Sequence, residues 1–461
     1  MRTDQLRAYR YIALLTQISN GRIWLHRSSW HWIDLDNWSE SAAILAITFM
    51  HGSRRRLESK LRQIQHMGVK VYCQTIDSFC LNIFKRYKSY LKIQSMVIVS
   101  DNPDELLKLD GRLHIGIHRI REKTKDLLEF NIIKEIFKFS YPVVVVDEFQ
   151  DCDGDLLEII KMLSDCCELF VAADDFQKLD NYSDCPATEW LSEAVQLNVL
   201  EKIWRTNDGK ILDSAKALRK DETTNNGVDV VFVPSKDVAA YSILSNMQWY
   251  DKMGSGSRTI AIISPVGPKS DNFVHQTLER LNSPMERKST KQRKGYRLEA
   301  RPFQMESDKK TSTQYILQQC AGWDSLEVVT KDAMESWTFE RYTGFDIGVK
   351  RAKRVMKLRN TDTLSKVEFS GIISSGLHFA NTFITRKGNS RIFLTVHGAK
   401  NREFDDVFIL WPRYTLPKEE LYLKKLMYNA ITRAKRKVVV IVQGNKNRGS
   451  ECPLNLLQNE V

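Results

Sequence analysis

Hydrophobic and polar positions fall into two alternating patterns along the chain. Short, mostly apolar buried-strand candidates occupy residues 43–49, 143–147, 169–173, 228–233, 259–264, 392–396, 407–411 and 438–442. Runs of this length, rich in β-branched residues, read as strands buried on both faces, as in the middle of a parallel sheet. Helical spacing fills much of the chain between them. Over residues 54–64, Leu57, Leu61 and Ile64 share one face. Over residues 4–18, Ala8, Tyr11, Ile12, Leu15 and Ile18 recur at helical spacing and point inward. Strands alternating with helices predict an α/β protein with parallel sheets.

The strands form two groups, and the second is interrupted by a polar, basic, weakly patterned stretch. This predicts a first domain over residues 1–197, a second over 198–284 and 386–461, and an inserted accessory subdomain over 285–385. The chain ends soon after its last strand, so no appended C-terminal domain is expected. A length of 461 residues is too great for one core, which fits several domains.

Composition adds bounds. No apolar run is long enough to span a bilayer, and the N-terminus lacks a signal-peptide pattern, so no membrane partner is expected. Eight cysteines lie without a CxxC pair, indicating neither a zinc site nor a disulfide framework. A reduced, cytoplasmic protein is expected. Net charge is +12, which points weakly to a polyanionic partner. The distribution says more. Residues 287–301 hold seven Lys/Arg against one acid, and residues 350–359 hold six with none. In the second run Val349, Ala352 and Met356 fall on one helical face and Lys350, Arg354 and Lys357 on another. That pattern fits a solvated helix face or a phosphate-tracking surface equally.

The chemistry concentrates at VVVVDEFQD, residues 143–151. The strand ends in adjacent carboxylates, Asp147 and Glu148. Ligands of open α/β sheets bind at the carboxyl ends of strands. A carboxylate there can hold Mg²⁺, directly or through water, and its neighbour can polarise an attacking water. Phosphoryl transfer uses such a pair, because it is mostly positioning plus charge neutralisation.

Six further segments accompany this one: AILAITF (43–49), CQTIDSFC (73–80), AADDFQKLD (172–180), IWRTN (203–207), TVHGAKNREFDDVFIL (395–410) and LMYNAITRAKRKVVVI (426–441). In this order they resemble the motifs of the UvrD/Rep-type superfamily 1 DNA helicases. The likeness spans nearly the whole chain apart from the insertion. It implies two RecA-like, P-loop NTPase-type domains that close on ATP and Mg²⁺, with single-stranded DNA crossing their top. By this resemblance Asp147 holds Mg²⁺ and Glu148 activates the hydrolytic water. Gln177 senses the γ-phosphate, and Arg205 and Arg433 reach it from the second domain. Trp204 stands where the family usually has Tyr, placed to stack on adenine, and Glu403 matches a glutamate that contacts ribose. Gln150 receives no separate role. Thr48, Phe49, Ser78, Phe79, Thr395 and His397 match DNA-tracking positions. Hydroxyls donate to phosphates, and rings stack on unpaired bases at ~1–3 kcal/mol each.

Plainer readings stand beside these. Phe49 and Phe79 also read as core aromatics, Ser78 as a helix cap and His397 as a loop residue. Glu403 and Trp204 also read as surface and packing residues. Trp24, Trp30, Trp32 and Trp38 cluster without a family counterpart, and packing is the first reading for them. Asp77 replaces the histidine common in the Ser-Phe motif, and Asn401-Arg402 replaces the Gly-Leu common after Lys400.

One family part is missing: no GxxxxGK[ST] string occurs in the sequence. Its backbone N–H groups cradle phosphates, and its Lys and Ser/Thr hold the γ-phosphate and Mg²⁺. The predicted helix over residues 4–18 looks like the one that follows this loop. Met1-Arg2-Thr3 then stands where the loop would end, with Thr3 at the hydroxyl position. Either the start is assigned too late or the loop has been lost, and the retained Asp147, Glu148, Gln177, Arg205 and Arg433 favour the first. The expected function is ATP-dependent DNA unwinding or translocation, 3′ to 5′, in DNA repair or defence. The alternatives are an ATPase-inactive DNA-binding subunit, or the motor partner of a separate nuclease or accessory protein.

Overall fold

The computed structural model describes the chain except residues 1–21, 26–42, 50–53, 55–56, 59–60, 62–69, 101, 110, 181, 195–196, 199–205, 223, 225, 253–257, 290–294, 306–312, 338–342, 384–390, 417, 445–451 and 455–461. The α/β class with parallel sheets is what it contains. All eight apolar runs form strands. Two compact units divide the chain: Met1–Pro302 with Leu394–Val461, and Phe303–Phe393.

The first unit holds two parallel arrays. One runs in the order Lys70–Thr75, Ala43–Thr48, Val143–Val146, Glu168–Ala173, all parallel. Beyond Glu168–Ala173 the short strand Arg22–Leu25 adds antiparallel, followed by Leu197–Asn198. So the backbone of Trp24 belongs to a strand, while Trp30, Trp32, Trp38 and the predicted helix over 4–18 lie outside the described residues. The other array runs Asp229–Val233, Ala434–Gln443, Phe404–Trp411, Ile260–Ser264, again parallel. Burial explains the composition of both. Every residue of Ala43–Thr48, Val143–Val146 and Ile260–Ser264 is buried, as strands covered on both faces must be.

A small sheet of Met96–Val99, Arg112–Ile115 and Leu106–Leu109 accompanies the first array. The helices Ile76–Tyr87 and Ile117–Leu128 send Phe79, Ile83, Phe84, Ile120 and Leu127 into one core with Leu45, Val144 and Val171. Among the described residues no helix is long and apolar enough to cross a membrane.

The second unit is built on the crossing of helices Thr343–Arg359 and Lys366–Phe383. Val349, Ala352 and Met356 pack there against Phe369 and Ile373, around Trp323 and Trp337. Lys350, Arg354 and Lys357 stay exposed, as their spacing implies. A β-carbon at Gly376 would stand 2.5 Å from the Gly344 carbonyl oxygen and 2.6 Å from the Gly348 nitrogen. Both are backbone atoms that cannot step aside. Gly376→Ala should therefore destabilise this unit by about 1–3 kcal/mol, the usual cost of overpacking. Denaturant unfolding would measure it, and an unchanged midpoint would contradict the close crossing.

Candidate active site

The carboxyl end of the first array carries the acidic pair. The Asp147 N–H donates to the Ile47 carbonyl at 2.9 Å, which extends the sheet one residue past Val146. The chain then turns sharply. Glu148 adopts φ +60°, a left-handed conformation that costs a non-glycine residue about 1–2 kcal/mol. Surrounding contacts hold it there, and such outliers cluster at functional sites. Glu148 is buried, and its Oε2 accepts a hydrogen bond from Gln150 Nε2 at 2.6 Å. The same Gln150 amide turns its oxygen to the next strand end, where Oε1 accepts from the Asp174 N–H at 2.9 Å. One buried side chain thus ties the two strand ends together.

Asp174 caps the single turn Asp175–Gln177 by accepting from the Phe176 N–H at 3.1 Å. Its Oδ2 accepts from Gln177 Nε2 at 2.9 Å. That leaves Gln177 Oε1 facing Arg433, whose Nη2 donates to it at 3.3 Å. Arg433 immediately precedes the Ala434–Gln443 strand of the second array. It is 1% exposed, with Nε donating to the Asn429 carbonyl at 2.9 Å and Nη2 to Thr432 Oγ1 at 3.1 Å. The helix before it, Glu420–Ile431, is buried over Leu423–Ile431, lysines included. Lys425 Nζ donates to the carbonyls of Asp175 and Tyr182 at 3.0 and 2.7 Å. The Tyr428 hydroxyl donates to Asp174 Oδ2 at 3.1 Å. Burial first, then the neighbouring Asp174 charge, pushes the Tyr428 phenol well above its ordinary value, so it stays a donor.

Glu148, Gln177 and Arg433 are therefore one cluster, linked by hydrogen bonds through Gln150 and Asp174, with Asp147 next to Glu148 in the chain. A second link joins the arrays nearby: Lys400 Nζ bonds both Asp151 oxygens, at 2.7 and 2.5 Å. Burial raises the Asp151 carboxyl above its ordinary value, against the pull of the Lys400 ammonium. The native state then holds that proton more tightly than the unfolded chain. The group's contribution to stability falls as pH rises through the raised value. Lys400→Met should cost about 1–3 kcal/mol near neutral pH, because it strands a largely enclosed carboxylate. At mildly acid pH the loss should shrink, since a protonated Asp151 needs no cation. Denaturant unfolding at the two pH values checks this, and equal losses would contradict it.

Other sequence candidates fall around this cluster in different ways. Glu403 pairs with Lys435 at 3.4 Å. Thr395 caps the short helix Val396–Ala399, its Oγ1 accepting from the Gly398 N–H at 3.2 Å, and His397 is exposed on that turn. Ser78 is not a helix cap. Thr75 is, with Oγ1 accepting from the Ser78 N–H at 3.2 Å. Phe79 is fully buried, its ring 5.8 Å from Phe137, and Phe49 packs half-buried on the same core. Thr48 is fully buried at its strand end, its hydroxyl without a hydrogen-bond partner among the described residues. The Asp77 charge is met by Arg121, whose Nε and Nη2 donate to Oδ1 at 2.9 and 2.8 Å. Thr3, Trp204 and Arg205 lie outside the described residues.

Gln150, Asp174 and Tyr428 lie within the motif segments without a role assigned from sequence, and Arg219 lies outside them. Asp174 reads only as a turn residue, and Arg219 as one more cation in the last turn of helix Gly209–Lys220. The structure makes Arg219 a donor to Asp174 and to the Tyr428 hydroxyl.

The donor set suits a magnesium–nucleotide. It offers carboxylates at a strand end for the cation, and an amide beside a guanidinium for a terminal phosphate. Comparison with known proteins bears on the second array. No curated protein matches the chain. Residues 392–441 match the family model of the UvrD-like helicase C-terminal domain, a span that includes Thr395, His397, Lys400, Glu403, Tyr428 and Arg433. This match supports the UvrD-like helicase family and suggests a helicase-type function.

Proposed function

We propose that this chain is an ATP-dependent DNA motor of the UvrD type, with two RecA-like lobes that close on ATP and Mg²⁺ and step along single-stranded DNA from 3′ to 5′. The observation that carries the reading is the Gln177–Arg433 contact beside the acidic strand ends. An arginine from one array meets the amide sensor of the other at 3.3 Å, close to Glu148.

Each side chain has a task in this reading. Glu148 takes the proton of the attacking water, and the Gln150 amide, 2.6 Å away, orients the carboxylate for it. Asp147 is the ligand for Mg²⁺. The ion, when bound, neutralises charge on the transferred phosphoryl group. Gln177 and Arg433 donate to the oxygens where charge develops, and Arg205 is assigned the same task. By the same resemblance Glu403 is assigned to the ribose and Trp204 to the adenine. A guanidinium fork supplied across the cleft makes closure depend on the nucleotide, and closure is how hydrolysis becomes movement. Phe49, Ser78, Thr395 and His397 are the proposed DNA contacts, with Thr48 and Phe79 buttressing them from inside. A nuclease or accessory protein is the proposed physical partner of this motor.

One observation favours a second reading. The sequence has no GxxxxGK[ST] string, the usual phosphate cradle. A chain that binds DNA without hydrolysis would then use the same surface as a subunit of a larger assembly. Strand separation distinguishes the two. With ATP and Mg²⁺, a duplex bearing a 3′ single-stranded tail should be unwound, and one bearing a 5′ tail should not. Salt-sensitive DNA binding without hydrolysis or unwinding would overturn the motor and leave the binding subunit.

A further inference from the structure

Asp174 receives more donors than its role as a turn cap requires. It is 2% exposed and accepts from the Phe176 N–H, Gln177 Nε2, the Tyr428 hydroxyl and Arg219 Nη2. Two of these donors come from the first array's own turn, and two come from helices flanking the second. Arg219 is the charged one. Its Nη2 also donates to the Tyr428 hydroxyl at 2.8 Å, and its Nη1 lies 3.6 Å from Asp175. Its guanidinium lies over the Tyr428 and Phe176 rings, at 5.0 and 5.5 Å from their centroids. Those rings meet edge to face at 5.1 Å. A planar cation held this way by stacking and fork geometry fixes direction as well as charge, which a lysine would not.

The consequence runs through Asp174. Its Oδ2 holds Gln177 Nε2, so the position of this carboxylate sets where Gln177 Oε1 points, and Oε1 is the atom that meets Arg433. We propose that Arg219 is a positioning residue: by pinning Asp174 it fixes the Gln177 amide against Arg433, so that the two face each other only while the arrays are engaged. The proposal rests on reading Gln177 and Arg433 as the groups that contact the terminal phosphate.

Two measurements on Arg219→Met, compared with wild type and Arg219→Lys, test it. The first is native-state amide hydrogen exchange. The Phe176 and Gln177 amides, bonded to Asp174, should exchange about tenfold faster in R219M. Those of helix Gly209–Lys220 should hold, which a general loss of structure would not allow. R219K should recover part of the protection. The second is ATP hydrolysis with single-stranded DNA. The turnover number kcat should fall about 10–100-fold, with KM for ATP changed less than about threefold. If R219M fails to fold, Tyr428→Phe removes another donor to Asp174 and carries the same measurements. Unchanged exchange at Phe176 and Gln177, or unchanged kcat in a protein whose wild type hydrolyses ATP, overturns the proposal. A wild type that hydrolyses no ATP removes the functional reading, and the exchange result still decides whether Arg219 positions the turn.

Discussion

Arg433→Ala is expected to lower ATP turnover by about 10³–10⁵-fold, the scale on which an arginine supplied across a cleft stabilises phosphoryl transfer. The expectation follows from where the side chain lies. Arg433 is 1% exposed, so its guanidinium is pre-placed and dry, and its charge acts with little solvent screening. It does not have to be recruited from solvent when nucleotide binds. The hydrogen bonds to Asn429, Thr432 and Gln177 fix its plane. Removing it also leaves the Asn429 carbonyl and the Gln177 amide short of a donor, which should cost about 1–3 kcal/mol of stability. Thermal melting would separate that cost from the kinetic effect. Arg433→Lys is the sharper control. It keeps the charge but loses the fork, so turnover should stay well below wild type. A lysine variant with normal turnover would mean that the planar geometry at this site is irrelevant to the reaction.

Glu148→Gln comes next in size. Loss of a general base typically removes 10²–10⁴-fold, so hydrolysis should become hard to detect (about that factor down) while ATP still binds. The structure adds a reason to expect an intact fold. Gln150 Nε2 donates to Glu148 Oε2 at 2.6 Å, and a glutamine carbonyl at position 148 can accept the same bond. The left-handed backbone at position 148 is equally strained for either residue. Stability should therefore change by no more than about 0.5 kcal/mol, as for changes that leave no group unpaired. Nucleotide affinity, read by equilibrium titration, should stay within about threefold. Surviving hydrolysis would remove Glu148 from its assigned task.

The fold was legible where burial on both faces forces a continuous apolar run. Val143–Val146 and Ile260–Ser264 are such strands, too short for helices and rich in β-branched residues. Lys70–Thr75 was not legible. It is an edge strand, exposed at Lys70 and Tyr72 and buried only at Thr75, so KVYCQT shows no apolar run. Arg22–Leu25 hid for a different reason. It joins the array antiparallel within a tryptophan-rich segment whose first reading is packing and whose second is a binding surface. At the site, Asp147 and Glu148 could be found from strand and carboxylates alone. Gln177 and Arg433 needed the order of motifs, because 256 residues separate them and only the fold brings them to 3.3 Å. Arg219 carried no signal at all. A cation in the last turn of a helix is expected from the helix dipole, and nothing local reveals that its partner lies 45 residues earlier. Phe79 and Thr48 show the reverse limit: a motif position says nothing about which way a side chain faces, and both face inward.

The proposed motor has the acidic strand end and Arg433 enclose a nucleotide whose hydrolysis answers to DNA. Steady-state ATP hydrolysis by the wild-type protein, with and without single-stranded DNA and beside Glu148→Gln, tests it most directly. Hydrolysis should rise with DNA in the wild type and stay at background in the variant. Identical background rates in both proteins, with DNA present and absent, would contradict it.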